Sequence, residues 1–180
     1  MIPESVDVVD TVIRLLGPED FDRFWPVRLQ ALQECPGSFG ASYEESKQLT
    51  REEAIGRLNP QDGGFVLGAF LREGGELVGI LGFVRNPGLK NRHRGVIWGV
   101  YVVPQARGRG LARALMVRAL EQCSRIEHLE IVLLTVSSGN QPARRLYLSL
   151  GFETYGLDKR ALKVGEQYLD EELMSLRLGG

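Results

Sequence analysis

The stretch PQARGRGLARALM, residues 104 to 116, places two glycines and two arginines directly before a helical pattern. Pro104 cannot donate to a strand ladder, so the apolar strand before it must end near Val103. Gly108 and Gly110 lack the Cβ atoms that would keep a ligand from the backbone, and the positive pole of the helix points to the same place. This stretch, the glycine corner, therefore predicts a binding site for an anion, most simply a diphosphate.

Glycine is common in strand-to-helix turns, so the spacing alone leaves a purely structural role open. Neither a Walker A pattern nor a G-x-G-x-x-G fingerprint is present, which argues against a P-loop nucleotidase and a dinucleotide-binding domain. A long, repeated arginine–glycine tract of the RNA-binding kind is also missing. Arg107 and Arg109 add positive charge to the corner.

The glycine corner lies between a predicted strand and a predicted helix that belong to a strand–helix–strand unit. An apolar strand is predicted over 96–103, an amphipathic helix over 111–123 and a second apolar strand over 129–136. A strand, a helix and a strand in this order imply a right-handed connection and parallel pairing of the two strands.

The rest of the chain predicts mainly antiparallel pairing. A strand is predicted over 11–16, a helix from about Pro18 to Glu34, and one polar helix over 46–58. Gly74 and Gly75 mark a hairpin, a short helix covers about 141–150, and a final hairpin closes the sheet. We expect an α/β (α+β) fold with a mixed sheet, in one domain over residues 1–180.

Composition excludes several function classes. The 180 residues carry a net charge of −1, so no global field attracts nucleic acid or an anionic membrane. The N-terminus lacks the pattern of a secretory signal, and the apolar runs are too short to span a bilayer. Cys35 and Cys123 show no metal-ligand or disulfide spacing, so we expect no metal and a soluble, cytoplasmic protein.

Two motifs in combination carry a resemblance to a known family. The first reads from Gln105 to Gly110, and the second is NQPARRLYLSLGF, residues 140 to 152. Together they resemble the GNAT acyltransferase superfamily, and the order of predicted elements from about residue 11 to 178 fits it as well. The resemblance implies a mostly antiparallel sheet with a central, splayed parallel strand pair flanked by helices, and acetyl-coenzyme A (acetyl-CoA) as cosubstrate.

The resemblance also implies site residues. The diphosphate and the pantetheine arm would contact the corner, the end of the strand before it and the second motif: Val102, Val103, Arg107, Gly108, Arg109, Gly110, Leu111 and Asn140. Tyr147 would protonate the departing thiolate, although a tyrosine on a short helix is also a common core residue. Asn140 also has a structural explanation as an N-cap followed by Pro142.

The general base is the open point of the predicted mechanism. The strand before the corner contains no carboxylate, which leaves Glu130, Tyr101, His93 or a chain of water molecules. The leading hypothesis is an N-acetyltransferase that acts by direct attack in a ternary complex, since neither cysteine suits an acyl carrier. The alternatives are a non-catalytic acyl-CoA sensor of the same fold and an unrelated phosphate-binding protein.

The acceptor pocket is expected among the first helices, the loop SFGASYEES and the last hairpin. Acidic residues there would attract a cationic amine: Glu44, Glu45, Asp170, Glu171 and Glu172. The basic turn Arg92–Arg94 would instead favour an anionic acceptor. A small-molecule amine and a protein amine both remain open as partners, a homodimer is possible, and no nucleic acid or membrane partner is expected.

Overall fold

A computed structural model describes residues 6–8 and 10–179, so the segment MIPES used in the signal-peptide argument lies outside the described residues. The strands are β1 (Val6–Val8), β2 (Thr11–Leu15), β3 (Phe65–Leu71), β4 (Leu77–Arg85), β5 (Arg94–Val102), β6 (Ile131–Ser137), β7 (Glu153–Val164) and β8 (Gln167–Arg177). The helices are α1 (Phe21–Glu34), α2 (Tyr43–Ser46), α3 (Arg51–Ile55), α4 (Leu111–Cys123) and α5 (Gln141–Ser149).

All eight described strands form one sheet in the order β1-β2-β3-β4-β5-β6-β8-β7. Neighbouring strands are antiparallel except β5 and β6, which run parallel as the crossover through α4 requires. The predicted mixed, mostly antiparallel sheet with one central parallel pair and flanking helices is confirmed. The single domain over residues 1–180 stays a prediction.

The core is built on the central strands. β4 is buried from Leu77 to Phe83, as a strand covered on both faces must be, and both α1 and α4 pack against it. Leu115 of α4 is fully buried and lies where a Cβ on Gly79 would be only 3.1 Å from its Cδ1. This close packing fixes the helix that follows the glycine corner.

The polar helix predicted over 46–58 is wrong in its extent. The structure has two short helices, α2 and α3, and a 3-10 turn over Gly56–Leu58. Thr50 separates them because its Oγ1 accepts from Glu53 N at 3.3 Å while Thr50 N donates to the Glu53 carboxylate at 2.8 Å. This capping box begins a new helix inside the stretch that periodicity assigned to one.

The helices over the described ranges are all too short or too polar to cross a bilayer.

Candidate functional site

The parallel strands β5 and β6 separate soon after they pair. Only Arg94–Val96 and Ile131–Leu133 are in register, and the later residues of the two strands diverge. A cavity of about 670 Å³ opens between them, and its walls also include α1, the loop around Phe39 and α5. The predicted splay is therefore present, and it creates a volume of the size that binds small ligands.

The glycine corner adopts the conformation that its sequence predicts. Gly108 and Gly110 have φ angles of +77° and +78°, and a Cβ on either would meet no atom within 4 Å. Gly110 is the N-cap of α4 without a side-chain cap, so the first N–H groups of α4 are not satisfied by a cap. Leu111 is buried and anchors this helix start. The corner can accept an anion at bare backbone N–H groups.

A bulge in β5 precedes the point where the chain leaves the cavity lining between Val102 and Val103. Gly99 has a φ of +67°, and the pairing of β5 with β4 shifts there. Beyond the bulge, Val103 N donates to Val78 O at 2.9 Å and Val103 O accepts from Ala106 N at 3.0 Å. Both polar groups of Val103 are thus used internally, and the structure does not bring its backbone to the cavity. Val102, one residue earlier, lines the cavity instead.

Arg107 is held by internal contacts rather than projecting as a mobile charge. Its Nε donates to Val102 O at 2.9 Å, and its Nη2 lies 3.5 Å from Glu34 Oε2. Glu34 also accepts from Tyr101 Oη at 2.6 Å. The hydrogen bond from Tyr101, with lesser contributions from Gln30 and Arg107, lowers the pKa of Glu34.

Glu34 is a residue that sequence reasoning missed. It ends α1, and no motif around it distinguishes it from any exposed helical glutamate. Burial and the hydrogen bond to Glu34 raise the pKa of Tyr101, which lines the cavity. Tyr101 therefore donates a hydrogen bond to Glu34 and keeps its proton near neutral pH. A general base must accept a proton, so this geometry argues against Tyr101 in that role.

Tyr147 lies on α5 and lines the cavity with 7% of its surface exposed. Its ring packs against Phe152 with the centroids 6.1 Å apart. Burial raises the pKa of the Tyr147 phenol to about 12, so the hydroxyl keeps its proton near neutral pH. The core-packing and proton-donor explanations are therefore both compatible with its position.

Asn140 caps α5, as expected from its place before Pro142. Its Oδ1 accepts from Ala143 N at 3.3 Å, and its Nδ2 lies 3.5 Å from Ser38 Oγ. The side chain also lines the cavity, so capping does not remove it from the site.

Two candidate bases, His93 and Glu130, lie outside the cavity lining. Glu130 N donates to His93 O at 2.8 Å, which places both residues where β5 and β6 begin. Neither residue lines the cavity, whose lining on β5 begins at Val96, and the glycine corner lies beyond the other end of β5, roughly 30 Å away along the strand. His93 and Glu130 therefore do not line the cavity, and the structure gives no support to either of them as the general base.

None of the acidic residues proposed for the acceptor pocket lines this cavity, although Asp170 lines a neighbouring cavity of about 560 Å³ that shares Ser38 and Asn140 with it. Glu44 pairs with Lys47, and Ser42 Oγ donates to Glu45. Glu172 accepts from Arg144 Nε at 2.7 Å, so Arg144 is paired rather than simply solvated. Among the residues that the structure describes, the cavity lining contains no carboxylate.

The charged side chains of the lining are instead arginines: Arg28, Arg57 and Arg107. Arg28 is 5% exposed, and its guanidinium carbon lies 5.0 Å from the Phe39 ring centroid and 5.4 Å from that of Trp98. Desolvation, with a smaller contribution from the charge of Arg57, lowers its pKa to about 10. Arg28 is therefore still charged near neutral pH, although it is buried.

The family model described as the acetyltransferase (GNAT) family matches residues 25–152, which include the corner, Asn140 and Tyr147. The chain belongs to this GNAT family. In sequence it is similar to the L-amino acid N-acetyltransferase AaaT of Escherichia coli, with 37% identity over 79 residues, or 43% of this chain and 48% of the relative. The chain thus spans about half the length of that curated relative.

Solved GNAT structures match over almost the whole chain. An acetyltransferase of the GNAT family from Streptococcus pneumoniae is 26% identical with a TM-score of 0.79, over 94% of this chain and 99% of the other. The yncA structure from Salmonella typhimurium, solved with its cofactor acetyl-CoA, is 20% identical with a TM-score of 0.80, over 94% and 95%. Because the sequence identity to yncA is only 20%, this similarity supports the fold alone.

Proposed function

We propose that this GNAT chain is an N-acetyltransferase that moves an acetyl group from acetyl-CoA to a primary amine by direct attack in a ternary complex. The observation that carries the proposal is one continuous cavity lined by Val102, Asn140 and Tyr147 at the splay of β5 and β6, next to the glycine corner. This arrangement offers an anion site and a proton donor on the same side of the sheet opening.

The residues present fit the cosubstrate. The diphosphate suits the bare N–H groups of Gly108, Gly110 and Leu111, with Arg109 exposed beside them. The neutral pantetheine arm suits the space between β5 and β6, where Val102 and Asn140 line the wall. Bound acetyl-CoA supplies a thioester. Arg107 would act indirectly, by holding the Val102 carbonyl.

Tyr147 would be the proton donor of the reaction. The amine nitrogen forms a bond to the acetyl carbon, the carbon–sulfur bond breaks, and Tyr147 Oη gives its proton to the leaving sulfur. A phenol with a pKa of about 12 keeps this proton until sulfur accepts it. The amine loses its proton to water as the amide forms, and water returns a proton to the Tyr147 phenolate, since no carboxylate lines the cavity among the described residues.

The missing carboxylate also favours a second candidate, a non-catalytic acyl-CoA sensor. This candidate predicts binding of acetyl-CoA without release of thiol for any acceptor. A cytoplasmic location and a homodimer stay predictions from the sequence.

An acetylation assay that reads free thiol release over a panel of amines tests the proposal. We expect turnover in the wild type and a decrease of kcat by roughly 100-fold in Tyr147→Phe, the lower range for a lost general acid. The Kd of acetyl-CoA should change little, because the substitution removes only one oxygen. Tyr155→Phe is the matched control, since Tyr155 is 54% exposed.

Thiol release by Tyr147→Phe at the wild-type rate would remove Tyr147 from the chemistry. Tight acetyl-CoA binding without turnover on the whole panel would favour the sensor.

A further inference from the structure

Two buried hydrogen-bond donors lack a partner on the wall of the cavity that α1 covers. Arg28 Nη1 and Trp98 Nε1 are both buried, and neither has a hydrogen-bond partner among the described residues. Both residues line the cavity, and the Arg28 guanidinium carbon is 5.4 Å from the Trp98 ring centroid. Buried polar groups are rarely left unpaired, so each such group requires an explanation.

The cost of leaving Arg28 in this state is substantial. A buried charge normally has an ionic partner, and the neighbouring side chains of Arg28 are instead two aromatic rings and a second arginine, Arg57. An exposed arginine on the same helix, Arg23, lies 3.9 Å from Asp20. A positive group held in an apolar cavity without a counterion suits an anionic ligand.

The anion is not expected to come from the cosubstrate. A Cβ on Gly99 would lie 3.3 Å from Arg28 Nη1, so this guanidinium lies beside the β5 bulge. The glycine corner begins beyond the end of β5, and Val103 already lies four positions after Gly99, about 13 Å along the chain. The phosphates of acetyl-CoA belong at the corner, and the pantetheine arm is neutral, which leaves Arg28 for the second substrate.

We propose that the acceptor amine carries a carboxylate, and that Arg28, assisted by Trp98 Nε1, binds this carboxylate on the α1 wall of the cavity. This inference rests on the proposed acetyltransferase function and names the chemical class of its acceptor. A guanidinium presents parallel N–H donors that match a carboxylate. The burial of Arg28 favours a free small molecule such as an amino acid, because the carboxylate must enter the cavity to reach the guanidinium.

The first experiment compares acceptors that differ only in the carboxylate. The twenty L-amino acids and their carboxamides are assayed for thiol release with a fixed concentration of acetyl-CoA. We expect kcat/KM to be roughly 10- to 100-fold higher for the preferred amino acid than for its carboxamide, in line with a charged hydrogen bond. The difference should lie mainly in KM.

The second experiment uses Arg28→Met, which keeps much of the side-chain volume, with Arg23→Met as the control on the exposed face of α1. Arg28→Met should remove the preference for the carboxylate while leaving the Kd of acetyl-CoA unchanged. The Tm of the free protein should stay the same or rise, because an unpaired buried charge is removed. A saturating amino acid should raise the Tm of the wild type and not that of Arg28→Met.

The outcomes separate this inference from the proposed function. If amines without a carboxylate are used as well as amino acids, or if no member of the panel is acetylated, the carboxylate inference is wrong. It is also wrong if Arg28→Met lowers the Tm and slows all acceptors equally, since that result indicates a structural arginine. If the wild-type protein does not bind acetyl-CoA, the proposed function itself is wrong.

Discussion

The glycine corner, which lies beside the cavity, and the α1 wall of the cavity use positive charge in different ways. At the glycine corner, consecutive residues expose backbone N–H groups, and Gly108 and Gly110 both have positive φ angles. At the α1 wall, Arg28 and Trp98 are distant in sequence and meet through packing. The corner is exposed and local, whereas the wall is buried and assembled. An anion site made from backbone can therefore be read from one stretch of sequence, and one made from side chains cannot.

The largest effect should come from Gly110→Ala at the corner. A residue with a Cβ at a φ of +78° is strained by roughly 1–2 kcal/mol, and its Cβ occupies the space that an anion approaches. We expect the Kd of acetyl-CoA, measured by calorimetry, to rise by roughly 10- to 30-fold.

Gly74→Ala is the matched control for this prediction. Gly74 has a φ of +79° in the hairpin between β3 and β4, and a Cβ there also meets no atom within 4 Å. It should lose similar stability in denaturant unfolding and keep its affinity for acetyl-CoA. Equal weakening of affinity in both variants would mean that strain, rather than the corner, sets the effect.

Asn140→Ala tests whether Asn140 binds acetyl-CoA in addition to capping α5. Loss of the N-cap of α5 should cost about 1 kcal/mol of unfolding free energy, measured by urea denaturation. Thr50→Ala removes the cap of α3 and should cost a similar amount. Only Asn140→Ala should also weaken acetyl-CoA; if its affinity is unchanged, Asn140 is a cap and nothing more.

A smaller effect is expected for Arg109→Gln. Arg109 is exposed beside the corner, so its charge should contribute roughly 0.3–1 kcal/mol to diphosphate binding, or up to about fivefold in Kd. The difference should decrease at high salt because exposed charges are screened. Arg125→Gln, after the end of α4, should leave the Kd unchanged at every salt concentration.

The smallest expected change is in the pH profile. Burial raises the pKa of Tyr147 to about 12, so the acid stays protonated and kcat/KM should rise to a plateau without an alkaline decrease below about pH 10. The pKa of Tyr147 in the folded protein is higher than the ordinary value near 10. The contribution of Tyr147 to the free energy of unfolding is therefore full below about pH 10 and is lost as the pH rises toward 12. A decrease of kcat/KM at pH 8–9 that is absent in Tyr147→Phe would contradict this pKa.

Much of the fold and one end of the site could be predicted from the sequence. The period of α4, the apolar strands around it and the glycine spacing are local signals, and the structure has α4 over Leu111–Cys123 as predicted. The break at Thr50 was missed because a capping box competes with periodicity inside a polar stretch.

The first helix and the loop SFGASYEES were predicted for the acceptor side and both contribute to the cavity lining, but the charged residue that faces the cavity could not be predicted because it has no local pattern. Arg28 looks like any charged residue of an amphipathic helix until the fold buries it, and Glu34 differs from an exposed glutamate only through its contacts with Tyr101 and Arg107. Val103, another predicted site residue, lies outside the cavity lining for a related reason. The bulge at Gly99 shifts the pairing of β5 with β4, and no residue count along the strand reveals that shift.

The central claim is that the glycine corner and the α1 wall of the cavity bind different partners. Calorimetric titration of acetyl-CoA into Gly110→Ala and Arg28→Met, side by side with the wild type, tests it most directly. The account predicts weaker binding in Gly110→Ala and an unchanged Kd in Arg28→Met. Equal loss of acetyl-CoA affinity in the two variants would contradict it, because both sites would then serve the cosubstrate.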